Sequence, residues 1–343
     1  MPRALRVEYA GAVYHVMARG NQGQRVCADD PDREMWRATL GEACARTGWR
    51  VHAWVLMGNH YHLLLETPEA NLVNGMKWLQ STYTQRYNAR HRKRGHLFQG
   101  RYRAVPVADD AAEYFQVVSS YIHLNPARAK LIRVGEQRLS EYGWSSYPEY
   151  VRGAEVGGGW LVTERVMGSL GLGPRDRKGY EAYMEGRVLE LGMREGRRQM
   201  EAQWRELRRG WYLGGREFRL GLLERMSGVL SGHRSESYSG RAKREHGEAA
   251  AERMLEEGLR RLGLRREGLA AMAKGRLEKQ VLAWWLCQHT TVTRRWVSEQ
   301  LAMGHASRVT QAVGAVPQMR DERTLQWRNK LCKIVSCIIG LTL

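Results

Sequence analysis

Two short groups of residues in this 343-residue chain are of types that could do chemistry. His60 and His62 are separated only by Tyr61. Strand side chains alternate faces, so a strand here points both imidazoles one way, with Leu64 beyond them. Tyr61, Leu63 and Leu65 point the other way. Two imidazoles on one face can converge on a divalent ion, although a chain with 11 histidines also produces such pairs by composition. Tyr121 and Asn125, in SSYIHLNP, are four apart and share a face if the segment is helical. A tyrosine hydroxyl can attack phosphorus and hold the bond energy as a phosphotyrosine, so a strand could be cut and rejoined without ATP. Asn125 offers a carbonyl oxygen to a metal, or it satisfies backbone groups at a helix end. Tyr121 is one of 15 tyrosines, most of which must be packing residues.

The elements that would position these groups are legible. AVYHVMA at 12–18 reads as a strand. Residues 31–47 read as a helix, with Asp30 as N-cap, Pro31 at its first position, and Met35, Trp36, Leu40 and Cys44 at helical spacing. Two apolar runs flank Gly58-Asn59, a pair suited to a hairpin turn. A helix over about 70–92, a basic strand RYRAVPV at 101–107 and a helix over about 110–125 follow. The last should stop where Asn125 precedes Pro126. The order β-α-β-β-α-β plus one helix predicts an α+β, ferredoxin-like antiparallel sheet covered by helices on one face.

A hydrophobic fraction of 43% suits a globular protein, while 55 Lys+Arg against 36 Asp+Glu gives +19 and points to a polyanionic partner, nucleic acid first. Cys27, Cys44, Cys287, Cys332 and Cys337 are scattered with no CxxC pair, which argues against a zinc ribbon or disulfide framework and fits a reducing cytoplasm. No signal peptide is visible, and the apolar tail from Leu331 to Leu343 is too short to span a bilayer. The basic run 70–108 holds Lys77, Arg86, Arg90, Arg92, Lys93, Arg94, Arg101 and Arg103 without an acidic residue. Tyr83, Tyr87, Phe98 and Tyr102 are interleaved. It reads as a surface for phosphates and stacked bases. GAEVGGG at 153–159 and the polar stretch 231–247 read as linkers. The region 180–209 has helical spacing at Tyr183, Val188, Leu191, Trp204 and Leu207. Residues 278–315 read as three helices with Trp296, Val297, Leu301, Val309 and Val313 inside. Such a helix-turn-helix would present Ser307, Arg308, Thr310 and Gln311 to a major groove, and a plain helical bundle is the alternative.

The stretches YHVMARGNQGQ, WVLMGNHYHLLLET, HLFQGRYRAVPV and YIHLNPARAKL, in that order, resemble the single-tyrosine HUH transposases of the insertion-sequence 200-like type. They are most similar to the REP-associated tyrosine transposases. The resemblance covers about residues 1–150. It implies that His60 and His62 hold a metal, with Asn125 as a softer third ligand where the family often has glutamine. It also implies that Tyr121 is the nucleophile, leaving a 5′-phosphotyrosine and a free 3′-OH. An open site that takes phosphate oxygens suits Mg²⁺ or Mn²⁺ better than the Zn²⁺ that a histidine pair suggests by ligand preference.

The organisation expected is therefore a nuclease domain at 1–150, a helical middle at 160–245 and a helical DNA-binding domain at 248–343. The expected partner is single-stranded DNA, hairpin-flanked or palindromic, with duplex DNA reached through the C-terminal helices. A homodimer is compatible, no membrane is expected, and the place is the bacterial cytoplasm at the nucleoid. Two rival functions are a catalytically idle DNA-binding regulator and a site-specific nickase for replication or transfer.

Overall fold

The computed structural model describes residues 3–4, 6–109, 112–153, 159–231, 238–239, 241–290 and 292–339. They fall into two compact units, one of residues 6–221 and one comprising 222–343 with the first five residues.

The first unit is built on four strands, β1 (Ala12–Arg19), β2 (Arg50–Leu56), β3 (His60–Thr67) and β4 (Arg103–Val107), all antiparallel in the order β2-β3-β1-β4. That is the ferredoxin-like arrangement expected. Its alternating pleat sorts the core. Tyr14, Val16, Trp54, Tyr61, Leu63 and Leu65 face the helices α1 (Asp30–Thr47) and α2 (Leu72–His91). Val13, Ala53, Val55, Leu64 and Val107 face the opposite way, onto α3 (Ala112–Arg128). Helices therefore cover both faces rather than one, because β1 to β4 are apolar on both sides. The second face is completed by α4 (Tyr147–Arg152), α5 (Glu164–Ser169), α6 (Arg177–Gly192) and α7 (Arg194–Arg209). Trp204 and Leu207 of α7 are fully buried in that core, so the helices after residue 160 pack as part of the first unit up to residue 221.

Two local expectations are corrected. The N-cap of α1 is Asp29, not Asp30, because it is the Asp29 side chain that accepts the Asp32 N–H, the third helical position. Helix α3 does not stop at Asn125. It carries Pro126 inside and runs to Arg128. The lost N–H falls in the last turn, where few bonds remain to be broken, and the Ala129 N–H still reaches the Asn125 carbonyl at 2.9 Å.

In the second unit the strand pair Arg3–Ala4 and Tyr238–Ser239 is parallel. Helix α8 (Arg216–Ser231) crosses the division between the units. It is followed by α9 (Arg241–Leu262), α10 (Leu277–His289), α11 (Arg294–Gln300), α12 (Ala306–Ala315) and α13 (Glu322–Ile339). The stretch expected as a second linker is thus helical from Arg241. Its Ala, Glu and Arg content favours a helix, and Leu255 and Leu259 anchor that helix in the core. Residues 154–158 of the glycine-rich linker and 232–237 lie outside the described residues, as do 340–343 of the tail. The tail is helical through Ile339. Val297, Leu301 and Val309 are fully buried, and Trp296 and Val313 pack against them. No helix among the described residues is long and apolar enough to cross a membrane.

Candidate active site

His60 opens β3 and His62 follows it on the same face, as the pleat requires. Register places His60 opposite Arg19 and His62 opposite Met17 on β1. The loop Met57-Gly58-Asn59 holds the start of β3, closed by the Met57 N–H on the His60 carbonyl at 2.8 Å. Helix α3 lies under this face and lifts Tyr121 to the histidines. The Tyr121 ring is perpendicular to that of His62 with centroids 5.3 Å apart. Asn125, one turn on, donates its amide to the Tyr121 carbonyl at 2.9 Å and comes within hydrogen-bonding reach of the His60 ring and the Tyr121 hydroxyl.

His60, His62 and Tyr121 line one cleft of about 490 Å³, together with Arg19, Arg101, Arg103, Arg128 and Arg208, while Asn125 is buried behind them. Arg128 stands over the Tyr121 ring at 5.6 Å, and Trp204 packs on that ring edge-on at 5.3 Å. Glu201 accepts from Arg128 at 2.9 Å and from Arg208 at 2.5 Å, and so spaces the two guanidinium groups. Arg103 is fixed by the carbonyls of Arg208 and Gly210.

Burial acts on both histidines in the same direction. It pushes His60 down to about 4, helped by the charges of Arg19 and Arg128 and opposed by Asn125. It pushes His62 well below the ordinary histidine range, with His15, His60 and Arg128 adding to the effect. Both are therefore neutral at pH 7, with a lone pair to offer. The Nδ1 of His60 bonds the Asn59 Oδ1 at 2.7 Å, and the Nδ1 of His62 bonds His15 Nε2 at 2.9 Å. Among the described residues no hydrogen bond involves the His62 Nε2, while Asn125 lies on the other side of the His60 ring from Asn59. Burial raises Tyr121, while Arg128 and Arg208 pull it back down. Nearby cations favour the phenolate, the nucleophilic form.

Two imidazole nitrogens and an amide oxygen fit a divalent ion that keeps open positions. Among the described residues no group of three His, Cys, Asp or Glu could hold a metal. The donor set is thus uncharged and ringed by arginines. An ion would be held weakly until a phosphate arrives to supply the missing negative charge.

The basic run of the sequence divides. Arg101 and Arg103 line the cleft. Arg86 is paired with Glu42, and Arg90 with Asp29 and Asp32, so both tie α2 to α1. Lys77, Arg92, Lys93 and Arg94 are exposed and lie outside the cleft. The interleaved Tyr83, Tyr87, Phe98 and Tyr102 are buried, so they cannot stack on bases as expected. They are the inner stripe of α2 and its following loop, packed under the sheet. Ser307, Arg308, Thr310 and Gln311 are exposed on α12 of the other unit.

Sequence reading missed His15, Arg19, Arg128, Trp204 and Arg208. Arg128 could have been found, since it is seven residues beyond Tyr121 and shares its helix face. Trp204 and Arg208 carry no such local signal.

Residues 8–125 match the family model of the IS200-like transposases. A solved structure, a REP-associated tyrosine transposase bound to a REP hairpin, is similar over 44% of this chain and 86% of its own length. Its identity is 15% and its TM-score 0.38. No curated protein matches the chain.

Proposed function

We propose, from the match of residues 8–125 to the family model of the IS200-like transposases, that this protein cuts and rejoins a single DNA strand with Tyr121 as nucleophile. The observation that carries the reading is the cleft itself, where the Tyr121 ring lies 5.3 Å from His62 inside a ring of arginines.

Tyr121 gives its phenolic proton to solvent, and Arg128 and Arg208 stabilise the oxyanion. The phenolate oxygen bonds to phosphorus and the phosphorus–O3′ bond breaks. The leaving oxygen takes a proton, giving a free 3′-OH and a 5′-phosphotyrosine. Attack by the 3′-OH of a second strand reverses these changes and releases Tyr121. His60, His62 and Asn125 would hold Mg²⁺ or Mn²⁺, which when bound polarises the scissile phosphate. Arg19, Arg101 and Arg103 grip the flanking phosphates. A single strand, exposed beside a hairpin, is the proposed substrate, since the phosphate must reach a half-enclosed cleft.

Incubation with a hairpin-flanked single strand and Mg²⁺, followed by mass spectrometry, tests the reading. The expected result is a DNA adduct on Tyr121 that excess EDTA prevents. An adduct on Tyr114 or Tyr142, or cleavage that survives EDTA, refutes it.

A further inference from the structure

Beyond the cleft, α3 ends at Arg128 and the chain turns sharply at Lys130, whose φ is +58°. The segment that follows forms one wall of a second groove of about 460 Å³, and α6 and α7 form the other. Lys130 and Arg133 stand on the first wall and Arg197 on the second. Arg128 lines both the groove and the cleft of Tyr121, so the two hollows adjoin at that residue. Among the described residues the carboxylate lining the groove is Glu201, already paired with Arg128 and Arg208, and at the rim Glu136 pairs with Arg133 at 2.9 Å. Apolar surface accompanies the charge. Leu131 is 52% exposed, Val134 38% and Met193 62%.

We propose that this groove is a strand-binding subsite, holding the single-stranded DNA that continues from the scissile phosphate on one side. The inference rests on the strand-cutting reading and extends it to residues outside the matched family region. The occupant follows from the charge. Phosphates complement Lys130, Arg133 and Arg197, whose ammonium and guanidinium groups project from opposite walls. Val134, which lines the groove, offers apolar surface to sugars and bases, and the exposed Leu131 and Met193 adjoin lining residues in sequence. A groove of this size is far too small for a double helix, and its net positive charge, which Glu201 and Glu136 offset only in part, disfavours a basic peptide. Arg128 makes the path continuous. It sits two turns along α3 from Tyr121, so a strand held at the nucleophile and leaving past Arg128 enters the groove directly.

The test uses the full chain with Tyr121→Phe, which keeps the strand uncut. Fluorescein-labelled single strands carrying 5-iodouracil at successive positions on either side of the hairpin junction are irradiated, and the cross-linked peptides are identified. Cross-links to 130–134 or 193–197, from positions on one side only, are expected. Cross-links confined to the cleft overturn the proposal. In parallel, Lys130→Gln/Arg133→Gln/Arg197→Gln is compared with a control that removes three exposed cations elsewhere, Arg175→Gln/Lys178→Gln/Arg216→Gln. The groove variant should bind the long strand about tenfold more weakly than the control and lower the salt slope by about 2, at about 0.7 per phosphate contact on a single strand. Equal losses in both variants overturn the subsite. A failure of the strand-cutting reading looks different, because the unsubstituted protein would then form no Tyr121 adduct on any strand while these cross-links could still be scored.

Discussion

His15 and His62 share a hydrogen bond of 2.9 Å between Nε2 and Nδ1, in a fully buried spot of the sheet. They are diagonal neighbours, since His62 lies opposite Met17 and His15 is two residues along the same face of β1. For the free Nε2 of His62 to ligate a metal, its Nδ1 must carry the proton and donate it to His15. Partners of this kind orient the ligand and set its tautomer.

The His15 contact yields the first prediction. His15→Leu leaves the His62 Nδ1–H without an acceptor and should weaken Mn²⁺ binding about 10–100-fold. His15→Gln, which can offer a carbonyl oxygen, should recover part of the loss. Titration calorimetry of the DNA-bound Tyr121→Phe protein measures both. Equal Mn²⁺ affinity in all three proteins would mean that His15 only packs.

Tyr121→Phe removes one oxygen and leaves the ring between His62 and Trp204. Strand cleavage should vanish while the oligonucleotide is still bound, as read by anisotropy and by gel in parallel. Residual cleavage with a covalent adduct elsewhere would sink the assignment.

Arg128→Ala takes away the first charge that opposes the upward shift of Tyr121 by burial. The phenol should then ionise at higher pH, so the pH–rate profile of cleavage should move to the alkaline side. The rate at pH 7 should fall about 10²–10³-fold, the usual cost of a lost oxyanion partner. A lower rate with an unmoved profile would limit Arg128 to gripping phosphate.

Glu149 of α4 is buried, and burial pushes its carboxyl up to about 7, with only Arg37 opposing. The sign follows from linkage. The folded state holds this proton more tightly than the unfolded chain, so its contribution is fully present below about pH 4.5 and is lost as pH rises through 7. Glu149→Gln should therefore stabilise the protein at pH 8 by about 2 kcal/mol and change little at pH 4.5. Thermal melts at the two pH values decide it, and equal shifts at both would refute the buried-acid account.

For the C-terminal helices, Arg308 and Gln311 are exposed on α12, and the expectation under test is that they read guanine and adenine edges. Replacing each by alanine should cost about 1–3 kcal/mol of duplex discrimination. Gel shifts on specific and scrambled duplexes measure it. Unchanged discrimination would favour the plain helical bundle.

Much of the site was legible because its logic is local. Pleat alternation alone puts His60 and His62 on one face and Tyr61 on the other, and helical spacing alone puts Asn125 one turn from Tyr121. The apolar runs around Gly58-Asn59 likewise foretold the hairpin, and the element order foretold the sheet. Where local rules compete, they misled. The proline after Asn125 was read as a stop, yet one remaining turn tolerates it, and that turn delivers Arg128. The interleaved aromatics of α2 were read as a stacking surface, but residues at helical spacing face inward whenever a sheet is there to cover them.

The sequence by itself determined which side chains could ligate and attack, since residue type and short-range periodicity suffice for that. Only the tertiary structure decided what surrounds them. The bond from His15 depends on strand register, and Trp204 and Arg208 reach Tyr121 because α7 packs on α3 some 80 residues later in the chain. Contacts of that kind are set by the shape and burial of whole elements, which no spacing within a segment encodes.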